Sequence, residues 1–294
     1  MMRPLIEGKT LPVLIVSAAL IIIWYCASIG MNWQRQIDTY NRTDVVGWST
    51  SELLYDVLNQ KKPLLPTPHQ VAGEFWNTTI GQAVTSKRSL VYHGWITLSA
   101  TLLGFVFGTL FGISLAVLIV HSAAMDRSLM PWIIASQTVP ILAIAPMVVV
   151  VLNAVGVSGL IPKALISTYL SFFPVVVGMV KGLRSPEGIQ LDLMHTYSAS
   201  KFQTFWKLRW PTALPYLFTS MKIGVAASLV GAIVAELPAG GGSGLGARLL
   251  AGSYYGQTVQ IWSALVTAAL LAGALIFCVS AVERLTNLSM GARA

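Results

Sequence analysis

Charge in this chain is gathered into clusters, with long stretches between them that carry none. Between Arg88 and Asp126, between Arg127 and Lys163, and between Arg248 and Glu283 there is no Lys, Arg, Asp or Glu. A hydrocarbon core about 30 Å thick needs about 20 such residues in a helix. Only 10% of residues are charged and 55% are hydrophobic, against roughly 25% charged in an ordinary soluble domain. Backbone amides in lipid must be satisfied within their own segment, so these stretches are predicted to be helices. The segments are too long for barrel strands and show no alternation. The expected fold class is an all-α membrane protein.

Six spans are predicted. They are Leu11 to Ile29, Trp95 to Val120, Pro131 to Val151, a short one bounded by Lys163 and Lys181, Pro215 to Ala235, and one within the run from Arg248 to Glu283. The first follows Arg3 and Lys9, is longer than a usual signal core and lacks a small-x-small cleavage site, so it reads as a retained anchor. The positive-inside rule sets the orientation. With both termini cytoplasmic, that side holds Arg127, Lys181, Arg184, Lys201, Lys207, Arg209 and Lys222 besides Arg3, Lys9, Arg284 and Arg293. Its acids are Glu7, Asp126, Glu187, Asp192 and Glu283, so the cytoplasmic side carries the larger basic excess.

The chain then divides into a tail and first span (1–30), an external loop with short helices (31–90), a five-helix core (91–285) containing a cytoplasmic loop at 186–212, and a cytoplasmic tail (286–294). In the external loop, Ser49 or Thr50 before Glu52 predicts a capped helix over Ser49 to Leu58. Lys61-Lys62-Pro63 ends it, Leu65-Pro66-Thr67-Pro68 reads as a stiff connector, and Val71 to Ile80 as a second short helix. Cys26 and Cys278 both fall in apolar windows and read as small hydrophobes. The net charge of +8 is scattered over membrane flanks, which argues against a nucleic-acid partner.

Several patterns bear on function. Gly104, Gly108 and Gly112 recur every four residues, a spacing that lets helix backbones approach closely in lipid, and predict a packing seam with an unidentified helix. Pro131, Pro140 and Pro146 bend the third span around Ser136, Gln137 and Thr138. These three are candidates for a translocation pathway, although hydroxyls there also serve to satisfy carbonyls freed by proline. Glu236 ends the fifth span and is a candidate either for the outer mouth of the pathway or for pairing with a base such as Arg248. Lys222, in the same span, is read as snorkelling to the inner surface and as facing an inner vestibule, two readings that are compatible. The run from Gly240 to Gly246 reads as a flexible external turn, because no Gly-Lys-Ser/Thr follows to make a P-loop.

Enzyme constellations are absent from the sequence. His69, His93, His121 and His195 have no metal-ligand spacing, and no Ser sits in a nucleophile elbow. With no Walker sequence, this chain has no ATP site of its own and is not expected to be an enzyme.

One polar, basic island remains, Asp192 to Pro215. Asp192, Leu193, Met194, Ser198, Leu208, Trp210 and Pro211 fall at the positions of Glu-Ala-Ala, Gly, Ile and Leu-Pro in a known spacing. The segment resembles the EAA loop of ABC-importer permeases. Leu65-Pro66-Thr67-Pro68, Ala199 to Phe205, Leu214-Pro215, Ile233 to Glu236 and Ser243-Gly244-Leu245-Gly246 resemble the nitrate/sulfonate/taurine-type branch.

That resemblance implies a type I importer permease fold in a bacterial cytoplasmic membrane. It implies a dimer of cytoplasmic ABC ATPases, a second permease copy or sister permease, and an external solute-binding protein as partners. No cofactor is bound by this chain, and ATP and Mg sit on the ATPase. The implied ATPase-coupling residues are Asp192, Leu193, Met194, Ser198, Ala199, Ser200, Phe202, Phe205, Leu208 and Pro211, with Phe202, Phe205 and Trp206 as the apolar anchor. Ser198 stands where the family has glycine, so a tight turn must there accept a side chain. The competing reading is a secondary transporter or channel working without an ATPase. It would need intramembrane acids or an ion filter, and the only membrane-edge acid is Glu236.

Overall fold

The computed structural model describes residues 10–45, 47–238 and 242–290. Arg3, Glu7, Lys9 and Arg293 of the expected cytoplasmic segments lie outside the described residues, as do Gly240 and Gly241. Among the described residues the secondary structure is helical, without strands. In order these are α1 (Thr10–Arg42), α2 (Thr50–Leu58), α3 (Pro68–Thr79), α4 (Leu90–His121), α5 (Ala123–Ser136) and α6 (Ile141–Ala154). There follow α7 (Leu160–Leu183), α8 (Gly188–Thr196), α9 (Lys201–Thr204), a π-helical turn (Phe205–Arg209), α10 (Trp210–Glu236), α11 (Leu245–Tyr254) and α12 (Thr258–Ser289).

Five helices are long and apolar enough to span a bilayer, and α5 with α6 adds a sixth if that bent pair is one span. The pair is the main departure from the predicted third span. Its halves meet at 94°, so the stretch from Pro131 to Val151 is broken, not merely kinked. Pro131 and Pro146 lie inside helices, whereas Pro140 is the N-cap of α6. Proline drives the residue before it out of helical geometry, and that ends α5 before Val139.

Clustering of contacts divides the chain into two compact units. The first comprises Met1–Val91 with Arg248–Thr267. Its first helix runs to Arg42, well past the Ile29 expected from hydropathy, so residues 31–42 belong to a helix. The cause is packing: Ile29, Trp33 and Ile37 line one face of α1 with Tyr40 and cover Leu53 and Val57 of α2. Helix α2 begins as predicted, with Ser49 and Glu52 forming a reciprocal capping box. Those hydrogen bonds from Ser49 hold the Glu52 carboxyl below its ordinary pKa. Along α1, Val13, Leu14, Ile15 and Val16 are exposed, a surface suited to acyl chains. Cys26 and Cys278 are both free and exposed, on helices long and apolar enough to span a bilayer.

The second unit comprises Tyr92–Ala247 with Ala268–Ala294. Helix α7 is its centre, with Val175, Val176, Met179 and Leu183 fully enclosed. The glycine seam predicted on α4 packs against this helix. A Cβ on Gly104 would collide with Ser167, one on Gly108 with Ser171, and one on Gly112 with Val175. Across the seam Thr168 Oγ1 donates to the Gly104 carbonyl at 3.2 Å. Further along α7, Gly178 meets Ser220 and Gly182 meets Ala213 of α10. Small residues thus let three apolar helices touch by their backbones, where dispersion and hydrogen bonds do the work that water exclusion does elsewhere.

Candidate functional site

Three features of the second unit concern function. The first is the segment from α8 to the π-helical turn. Helix α8 is closed, two residues past its last turn, by Ser198, whose φ is +53°. Ser198 N–H donates to His195 O at 2.8 Å and Ala199 N–H to Met194 O at 2.9 Å. This is a Schellman cap, whose left-handed residue is most often glycine. The serine therefore accepts the strain expected at this position. Ser200 starts α9 with a capping box to Gln203. Trp210 N–H then bonds to Phe205 O, one residue further back than in an α-helix. Pro211 has no N–H to offer the preceding turn, and a widened turn accommodates that. Arg209 ties the segment to the core by donating to the Leu183 carbonyl at 3.1 Å.

The segment faces outward with apolar residues. Ile189, Leu193, Tyr197 and Phe202 are 74, 56, 77 and 72% exposed, and Trp206 is also exposed. Asp192, Ser198, Ser200 and Pro211 are exposed, and Met194, Ala199 and Leu208 half-buried. Phe205, named with the apolar anchor, turns inward onto the core, edge-on to His121 and tilted against Trp210. Tyr197 and Ile189 were missed by pattern matching because the EAA spacing does not include them.

The second feature is a cleft of about 750 Å³ between α7, α10 and the α5–α6 break. Gln137 lines it with Phe173, Pro174, Lys181, Tyr216 and Thr219. The Lys181 ammonium lies 5.8 Å above the Tyr216 ring. Of the three polar residues singled out at the break, only Gln137 faces the cleft. Ser136 and Thr138 donate to Ile133 O and Ala135 O, satisfying helix carbonyls.

The third is a buried node around Glu236, which is 1% exposed. Its carboxylate accepts from Thr97 Oγ1 at 3.0 Å and Gly246 N–H at 2.8 Å, and lies 3.4 Å from Lys163 Nζ. Lys163 also donates to Ser243 O at 2.6 Å. Gly244 N–H donates to His93 Nδ1 at 3.0 Å and Leu245 N–H to Thr97 Oγ1 at 2.9 Å. Glu236 therefore does not sit at an open mouth, and its basic partner is Lys163, not Arg248. Residues 243–246 are likewise no loose turn, since the Ser243 carbonyl and the amides of Gly244, Leu245 and Gly246 are aimed at this node; a Cβ on Gly244 would fall on the carboxylate itself. Lys222 is half-buried and paired with Glu283 at 2.5 Å. Among the described residues no cluster of His, Cys, Asp and Glu could hold a metal ion.

Long apolar helices, a cleft against a broken span and a capped, outward-facing apolar segment define a multi-pass membrane transport subunit. Residues 108–290 match the profile of the binding-protein-dependent transport system inner membrane component, and the chain belongs to that family. It is 32% identical to the riboflavin transport system permease protein RibX of Chloroflexus aurantiacus, over 76% of this chain and 79% of the relative. It is 30% identical to the formylaminopyrimidine transport permease protein ThiX of Halalkalibacterium halodurans, over 62% of this chain and 68% of that one. Permeases named for aliphatic sulfonates, nitrate and taurine match at 25, 27 and 26% identity. A chain of the MetNI methionine ABC transporter, solved in inward-facing conformations, shares the fold with a TM-score of 0.58 at 20% identity. That match covers 66% of this chain and 94% of the other. The protein is a permease subunit of a binding-protein-dependent ABC importer, in the inner membrane, with the type I importer permease fold.

Proposed function

We propose that this permease takes up a small polar solute by alternating access, driven by a separate dimer of ABC ATPases that docks on the α8–α9 segment. The observation that carries this reading is the exposed row Ile189, Leu193, Tyr197 and Phe202, set on two capped helices and tied to α7 by Arg209. Apolar side chains on a polar segment outside the spans call for a protein partner. ATP and Mg belong to that ATPase, and this chain binds neither. A second permease copy or a sister permease completes the pathway, and an external solute-binding protein delivers the solute. ATP-driven closure of the ATPases favours the outward-open conformer, and direction follows from differential affinity for the two states.

Among polar solutes, a nitrogen heterocycle is best supported. The two relatives at 30% identity or more described above are named for riboflavin and a formylaminopyrimidine. The cleft offers aromatic faces from Phe173 and Tyr216, one amide from Gln137 and one cation, Lys181. A photo-crosslinker placed at Tyr197 tests the docking. Under this reading it captures an ABC ATPase in native membranes, whereas crosslinks to lipid or to the permease alone would overturn it.

A further inference from the structure

The first unit carries a surface that the transport reading leaves without a role. The loop after α2 is fixed with unusual thoroughness. Asn32, fully buried in α1, accepts from Leu64 N–H at 2.7 Å and donates to Leu65 O at 2.7 Å. Ser28 also donates to Leu65 O, Trp24 Nε1 to Pro66 O at 2.9 Å, and Thr258 Oγ1 to Pro63 O at 2.6 Å. These bonds hold Lys61 and Lys62 as a rigid ridge between two polar clefts of about 420 and 500 Å³. Arg35 lines the first cleft, and Gln70, Asn77, Gln257 and Gln260 line the second. Arg35, Lys61 and Lys62 are exposed, and none makes an ion pair among the described residues. The carboxylates lining these clefts are Asp56, which accepts from the Tyr40 hydroxyl, and Glu74. Between the clefts the Gln60 amide donates to Asn32 O and Gln36 Oε1, while its own Oε1 is buried without a donor.

From this we infer that the ridge of Arg35, Lys61 and Lys62 is the docking surface for an acidic, hydrogen-bonding face of the solute-binding protein. Three unpaired cations fit an acidic partner, and a pre-fixed loop loses little freedom on binding. The amide-lined clefts call for donors as well as acids. A protein surface presents carboxylates and N–H donors together in one fixed array, which fits these clefts better than a mobile lipid headgroup. The inference rests on the reading of this chain as part of an importer with an external binding protein.

The test uses the whole importer in nanodiscs and the solute-binding protein of the same transport system, with affinity measured across a salt series. If the wild-type complex binds no such protein, the importer reading itself fails. If it binds, Lys61→Glu with Lys62→Glu is expected to weaken affinity by about tenfold or more and to flatten its salt dependence. Basal ATPase activity stays unchanged, and Lys61→Arg with Lys62→Arg retains binding. Wild-type affinity and salt dependence in the Glu variant would overturn the inference. Unchanged affinity together with lost association to phosphatidylglycerol nanodiscs would overturn it in favour of a lipid contact.

Discussion

Lys163 and Glu236 lie at opposite chain positions of two helices and meet 3.4 Å apart at the end of each, both buried. Around them, Thr97, Ser243 and Gly246 complete the hydrogen bonding. A buried pair adds little over apolar residues, but removing one partner strands the other charge. Lys163→Met is therefore expected to cost about 3 kcal/mol or more. Lys163→Met with Glu236→Gln should recover most of that loss. Thermal unfolding of the four proteins of this cycle in detergent measures the coupling, and strictly additive losses would contradict it.

The glycine seam allows a sharper contrast. Gly108→Leu drives a side chain into Ser171 and the Thr168 carbonyl. Overpacking costs typically 1–3 kcal/mol, and more is expected where the obstacle is backbone. Gly30→Ala, in α1, has no atom within 4 Å of its new Cβ. It should gain about 0.5–1 kcal/mol from helix propensity. Folded yield by fluorescence-detected gel filtration separates the two.

Ser198 adopts a conformation that costs an L-residue about 1–2 kcal/mol. Ser198→Gly should therefore slow amide exchange over 188–204 without loss of ATPase association, and Ser198→Val should speed it. Equal exchange in all three would mean the turn is not held as described.

Lys222 and Glu283 join α10 to α12 at 2.5 Å, each partly buried. Lys222→Glu places two acids together and should abolish transport and lower stability. Lys222→Glu with Glu283→Lys should restore both in large part. Failure of the exchange to restore stability would assign one of these charges a separate partner.

The spans of this protein were legible because charge-free windows leave few alternatives: the run after Arg88 became α4, and that before Glu283 became much of α12. The capped helix at Ser49 was legible for a local reason, since a capping box is written within four residues. The break at Pro140 was only half legible. Proline marks a disturbance, but whether a span bends or breaks depends on what lies against it. The node at Glu236 was misread because its partners are distant in sequence, with Lys163 73 positions away and Thr97 139. A glycine run looks flexible until the Gly244 and Gly246 amides are seen bonded to His93 and Glu236. Phe205 and Phe202 were indistinguishable in sequence, and only packing shows that one belongs to the core and the other to the surface.

Phe202 is thus the residue at which the central claim is most directly tested, since its side chain is exposed and lies outside the core. The measurement is mild-detergent purification of tagged wild-type and Phe202→Asp permease from native membranes, with partners counted by intact mass. The account predicts that wild type brings down an ABC ATPase pair and that Phe202→Asp, folded and monodisperse, loses it. Retention of the ATPase at wild-type stoichiometry by Phe202→Asp would contradict it.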